Sequence, residues 1–188
     1  MIYRGPAMVA AITRQGAFCG LHITYLDEAS GKLKISDPGT GEALPAKKVR
    51  GSKSGGAIEL IKVVPPVEPS RVVLAEGIET LLSVWHAMAS CGIDLSTTEF
   101  WSSIDLGNTG GRASAQIVHP ILKTAAGRAR RVPGPDPDLS SPGIVISDTV
   151  GEVIVLGDSD SDPITTQNAV YRAAQRFKAL QEVSANEG

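Results

Sequence analysis

The sequence predicts an α/β protein: a parallel sheet flanked by helices, preceded by a small β-rich (α+β) N-terminal subdomain. Three observations carry this reading. Residues 71–75 (RVVLA) and 152–156 (EVIVL) are short apolar runs of the kind found in strands buried on both faces. Each is followed by a glycine and then by a helical pattern. The first sixty residues instead hold short strand-like runs cut by glycine and proline.

In the N-terminal part, residues 7–12 are apolar, 18–26 partly alternate, and 57–64 close the segment. Gly16, Gly31, Pro38-Gly39, Gly41, Gly51 and Gly55-Gly56 supply turns between them. Pro65-Pro66 and Pro69 mark a boundary, which divides the chain into units of 1–66 and 70–183. After the strand at 71–75, Gly77 leads into a helix on which Ile78, Leu81, Leu82, Trp85, Met88 and Ala89 share a face, with Trp85 read as core. A second strand is expected at 99–104. Residues 112–125 are patterned for a helix, which Pro120 interrupts. The Pro- and Gly-rich stretch 127–143, GRARRVPGPDPDLSSPG, reads as a surface loop. After the third strand, Thr165 or Thr166 caps a last helix whose apolar face is Val170, Ala173, Phe177 and Leu180. Strand and helix thus alternate, which argues for parallel pairing.

Composition narrows the function classes. With 188 residues and 42% hydrophobic content the chain can bury a core without metals or disulfides. Aromatic residues are only 4%, so a base-stacking platform is not expected to dominate. Eighteen Lys and Arg against twenty Asp and Glu leave a net charge of −2, so nucleic-acid contact rests on local patches. Cys19 and Cys91 have neither zinc-ligand nor disulfide-framework spacing, which fits a reducing cytoplasm. No signal peptide is visible, and no apolar run approaches the ~18 residues that a membrane span needs.

The chemistry-bearing stretch is VIVLGDSDSDP, which places Asp158, Asp160 and Asp162 at every second position beyond a strand. Like charges at that spacing repel, and a divalent cation offsets the repulsion. The strand at 71–75 also ends in an acid, Glu76, with Glu79 one helical turn further on. Ligands of parallel sheets sit beyond the carboxyl ends of the strands. If the two strands are neighbours, the acids meet there, and hard carboxylate oxygens suit Mg²⁺ or Mn²⁺. Acids after strands also cap helices or solvate turns. Glu76 alone fits that role as well; the pair is more specific than either member.

LAEGIETLLSV followed by VIVLGDSDSDP resembles the Toprim domain shared by bacterial-type primases, topoisomerases and some nucleases. The nearer resemblance is to the Toprim-containing primases and primase-helicases of phages, plasmids and integrated elements. GPAMVAAITRQGAFCGLHITYLDEASGK and VRGSKSGGAIEL are similar to the module that precedes Toprim in those proteins. The resemblance covers nearly the whole chain. It implies a Toprim-like sheet and Mg²⁺-dependent nucleotidyl transfer that makes RNA primers from nucleoside triphosphates on a single-stranded DNA template. It further implies Glu76 as general acid/base, and Asp158 and Asp160, with Glu76, at the metal. Asp162 fits a third ligand and, equally, a turn residue or helix cap; Glu79 fits a supporting role or a solvated helix position. The zinc-binding and helicase parts of the relatives are not seen here, so a separate helicase or zinc-binding partner is expected. The further strand that usually follows the last helix is also not seen, so a Toprim domain truncated there is expected. Two alternatives follow: a non-catalytic nucleic-acid-binding or replication-accessory remnant, and a Toprim nuclease.

Lys47, Lys48, Arg50 and Lys53, in AKKVRGSKSGG, fit contact with a phosphate backbone or nucleotide phosphates, and equally a solvated loop. Ile23 stands where relatives often carry a basic residue. Arg128, Arg130 and Arg131 are expected in solvent, as are Arg172 and Arg176, one helical turn apart. His22, His86 and His119 have no ligand spacing. Residues 108–111 form a Gly-rich turn able to approach phosphates, a weak signal by itself.

Overall fold

The computed structural model of the chain describes residues 5–27, 35–37, 39–158 and 161–186. It is a mixed α/β protein with several sheets. Strands β1 (Ala7–Arg14) and β2 (Ala17–Tyr25) form an antiparallel hairpin closed by Gln15 and Gly16, both at positive φ. A small hairpin of β3 (Ile35–Ser36) and β4 (Ala43–Leu44) follows, and β5 (Lys47–Gly51) returns antiparallel to β2. The sheet order is β1-β2-β5. Side chains alternate across a strand. Met8, Ala10, Ile12 and Val49 therefore join one apolar cluster, while Val9, Lys48 and Arg50 are exposed on the other face.

The second sheet is built from β6 (Ile58–Ile61), β7 (Arg71–Ala75), β8 (Thr98–Ser102) and β11 (Glu152–Val155), in the order β11-β7-β8-β6. Strands β11, β7 and β8 are parallel; β6 runs antiparallel to β8. Of residues 57–64, Ile58–Ile61 therefore supply the edge of the second sheet, while Ala57 exchanges two backbone hydrogen bonds with Thr13 of β1. Helix α1 (Ile78–Ser90) links β7 to β8 as a βαβ crossover. Then come α2 (Leu106–Gly110), the hairpin β9 (Gln116–Lys123) and β10 (Ala129–Pro133), β11, and α3 (Pro163–Asn186). Among the described residues no helix is long and apolar enough to cross a membrane.

The central strand holds the core together. Val72, Val73, Leu74 and Ala75 are completely buried. Leu74 packs with Ala173 and Phe177 of α3, whereas Val73 and Ala75 pack with Leu81 of α1 and Phe100. Helices thus cover both faces, and each buried Val or Leu stabilises the fold by about 1.5–3 kcal/mol.

Five expectations need correction. Residues 112–125 are not helical: β9 occupies most of them, and Pro120 lies beside a register shift in the β9–β10 ladder, where a missing N–H is tolerated. The stretch 127–143 is not all loop, since β10 lies within it. The α3 cap is Asp162, whose carboxylate accepts from the Thr165 amide at 2.8 Å. Leu82 and Trp85 are 42% and 38% exposed, because the buried stripe of α1 is Ile78, Leu81, Val84 and Met88. Arg172 and Arg176 are 2% and 3% exposed; they are interior residues, not solvated ones.

Candidate functional site

From β7 the chain steps to β8 on one side, and after α2 and the hairpin it returns to β11 on the other. The order of strands reverses at the β7–β11 boundary, which is where open parallel sheets form a crevice at their carboxyl ends. The pairing is in register, Val155 opposite Leu74, and the Leu156 amide donates to the Leu74 carbonyl at 2.8 Å. Two residues beyond Leu74 and three beyond Val155, the chain carries Glu76 and Asp158, both half-buried. The two acids therefore emerge from neighbouring strands at one edge.

The surrounding residues fix that edge. Thr80, in the first turn of α1, donates its hydroxyl to Asp158 Oδ1 at 3.2 Å. The Glu76 carbonyl accepts from the Ser102 hydroxyl at 2.6 Å and from the Ile104 amide at 3.1 Å. The Ser103 amide donates to the Ala75 carbonyl at 2.8 Å. Ile104 makes its bond from φ +76°, a region that β-branched residues rarely adopt. Backbone strain of this kind persists only where the surroundings over-determine it. Here the Glu76 bond and packing against the Ile12–Ile58–Ile78 cluster do so.

Asp162 stands apart from the pair. Its Oδ1 accepts from both the amide and the hydroxyl of Thr165 and lies 3.1 Å from His119 Nε2. The Ile121 and Leu122 amides donate to His119 Nδ1, which leaves Nε2 as the N–H that donates to Asp162. Of the two roles open to Asp162, the structure places it in the helix cap. Asp160 lies outside the described residues. Among those described, no group of three His, Cys, Asp or Glu side chains is gathered to hold a metal ion. Glu76 and Asp158 nonetheless supply two hard oxygen donors, which fits Mg²⁺, a cation that takes one or two carboxylates and keeps several waters.

The basic run divides. Lys47 pairs with Glu79 at 2.9 Å, and Lys53 pairs with Asp105. Burial, the largest single influence, raises the Glu79 pKa, but the hydrogen bond from Lys47, a backbone hydrogen bond and the charges of Lys47 and His22 together outweigh it, and the net shift is downward. Lys47 and Lys53 thereby tie the N-terminal sheet to α1 and to the turn before α2. Lys48 and Arg50 point to the opposite, exposed face of β5. His22, on the inner face of β2, has its pKa lowered by burial and then by Lys47.

Sequence reasoning misses Thr80, Ser102, Ile104 and His119. Thr80 had a signal, since it closes the EGIET segment one turn beyond Glu76. Ser102 and Ile104 act through backbone groups, and His119 through a fold-dependent contact, so nothing in their spacing announces them.

A family model described as a domain of unknown function (DUF7146) matches residues 3–60, the segment holding β1 to β5 and most of β6. No curated protein and no solved structure matches the chain.

Proposed function

We propose that the protein is a Toprim-type, Mg²⁺-dependent nucleotidyl transferase of the primase kind. It would join nucleoside triphosphates on a single-stranded DNA template. The observation that supports this reading is the pair of acids, Glu76 and Asp158, at the carboxyl ends of adjacent parallel strands where the strand order reverses. In it Glu76 serves as general acid/base at the 3′ hydroxyl, while Asp158 and Asp160 hold the metal. A bound Mg²⁺ would neutralise charge developing on the phosphoryl oxygens. Thr80 positions Asp158, and the Ser102 and Ile104 bonds hold the Glu76 backbone still. A separate helicase or zinc-binding protein would supply template handling.

The test is nucleotide incorporation on single-stranded DNA with Mg²⁺ or Mn²⁺, beside Glu76→Gln. General acid/base help is worth about 10²- to 10⁴-fold, so the variant should lose most turnover. Equal turnover in the two proteins would remove Glu76 from the chemistry.

A second reading, a non-catalytic nucleic-acid-binding or replication-accessory module, has support in the cap role of Asp162, which removes one of the four candidate ligands. Wild-type protein that binds DNA but incorporates no nucleotide with either metal would establish it. Strand cutting instead of incorporation would point to a Toprim nuclease.

A further inference from the structure

A cavity of ≈ 690 Å³ opens between α2, the loop after β5, the start of β9 and the middle of α3. Its volume lies in the range typical of small-ligand sites, about 300–1,000 Å³. Lys53, Arg112 and Arg172 line it, together with Asp105, Asn108 and Ser114. Three cations thus face one acid.

Arg172 is the informative residue. It is buried, and no carboxylate among the described residues pairs with it. Two of its bonds go to the carbonyl oxygens of Gly111 and Gly134. A guanidinium has five donors, so these two leave others unspent. Burial, and then the charge of a second cation, Arg176, lower its pKa. A buried charge without a counter-charge is costly unless something anionic compensates it. Lys53 already has its acid, Asp105, and Arg112 reaches Asp138 only at 3.8 Å from a largely solvated position.

The walls are held in place before any ligand arrives. Asn108 accepts from the Gly55 amide at 2.9 Å and donates to the carbonyls of Gly56 and Ser103 at 2.8 and 2.9 Å. Gly110 lets α2 approach α3 closely: a Cβ there would lie 2.5 Å from the Ala169 carbonyl oxygen. One wall, Asp105, directly follows Ile104, whose amide donates to the Glu76 carbonyl.

We infer that this cavity is a phosphate-binding subsite, which takes the phosphates of a nucleotide or of a nucleic-acid strand between Arg172, Arg112 and Lys53. Planar guanidinium groups match phosphate oxygens in bidentate fashion. The inference is independent of whether Glu76 catalyses anything.

The experiment titrates the full chain, without metal, with tripolyphosphate, with ATP and with a short oligothymidylate. Arg172→Ala risks the fold, so the test rests on two surface changes, Arg112→Ala and Ser114→Glu. The second places a negative charge on the rim. Wild type should bind at least one probe with salt-dependent affinity, and Ser114→Glu should weaken that binding by roughly tenfold or more. Arg112→Ala should weaken it in the same sense, while Arg128→Ala, at the exposed tip of the β9–β10 hairpin, should leave it unchanged. Tighter binding of tripolyphosphate and ATP than of the oligonucleotide assigns the subsite to a nucleotide, and the reverse order assigns it to a strand. No binding of any probe, or binding unchanged in both rim variants, overturns the inference. A protein that binds phosphate here yet incorporates no nucleotide keeps this inference and loses only the catalytic one.

Discussion

The Asp162 carboxylate accepts two bonds from Thr165 and faces the His119 imidazole. Those bonds favour the ionised form, and the hydroxyl and amide of Thr165, then His119, hold its pKa below the usual carboxylate range. A carboxyl with a depressed folded pKa stabilises the native state above its unfolded pKa. That contribution is lost as pH falls through the folded value, hence below about pH 4. Asp162→Asn should therefore lower the melting temperature at neutral pH and flatten its decline as the pH falls below about 4. Parallel melting curves for the two proteins across that range would contradict this role. Asp158 leads to a different expectation. Its repulsion with Glu76 at one edge should be relieved by Mg²⁺ or Mn²⁺, so either ion should raise the melting temperature. The shift should shrink in Asp158→Asn, because an amide is a poorer ligand for a hard cation. An unchanged shift would place the ion elsewhere.

At the scale of elements, β5 divides its charges by strand alternation. Lys47 is spent on Glu79, whereas Lys48 and Arg50 face outward. Replacing Lys48 or Arg50 by alanine should in each case weaken DNA binding and flatten its salt dependence more than replacing Lys47, which Glu79 already engages, because each lost phosphate contact releases fewer counterions. Filter binding at several salt concentrations decides it. Helix α3 carries the other element-scale feature. Arg176 donates to the carbonyls of Asp138 and Ser141 at 2.7 and 3.2 Å, so α3 holds the 134–143 stretch against itself. Arg176→Ala should destabilise the protein by about 1 kcal/mol or more in urea unfolding, since it leaves the part-buried carbonyls of Asp138 and Ser141 without this partner. None of this latch is legible in the sequence. Two arginines one turn apart look solvated, because their partners are backbone carbonyls far along the chain that carry no side-chain signature. The strands at 71–75 and 152–156 are legible for the opposite reason: burial on both faces forces an unbroken apolar run. The hairpin of β9 and β10 is hidden by Pro120 and by prolines that usually mark loops.

At the scale of the whole molecule, alternation of strand and helix after residue 70 is enough to anticipate parallel pairing, and the pairing brings Glu76 and Asp158 to one edge. The role of residues 57–64 is not legible, because a short apolar strand suits either sheet and only tertiary packing chooses. The course of the chain also separates the two acids. All of α1, α2 and the β9–β10 hairpin lie between them, and the Thr80–Asp158 bond spans 78 positions. The tip of that hairpin, near residues 124–128, is exposed. A specific protease site inserted between residues 125 and 126 should therefore be cut without dispersing the protein. The β9–β10 and β7–β11 ladders, the Arg172–Gly111 bond and the His119–Asp162 contact would all cross the break. The halves should co-elute in native buffer and separate in urea; separation in native buffer would show that these contacts are too weak. Glu76 and Asp158 would then belong to different polypeptides. The acidic edge would be assembled in trans from two separate polypeptides.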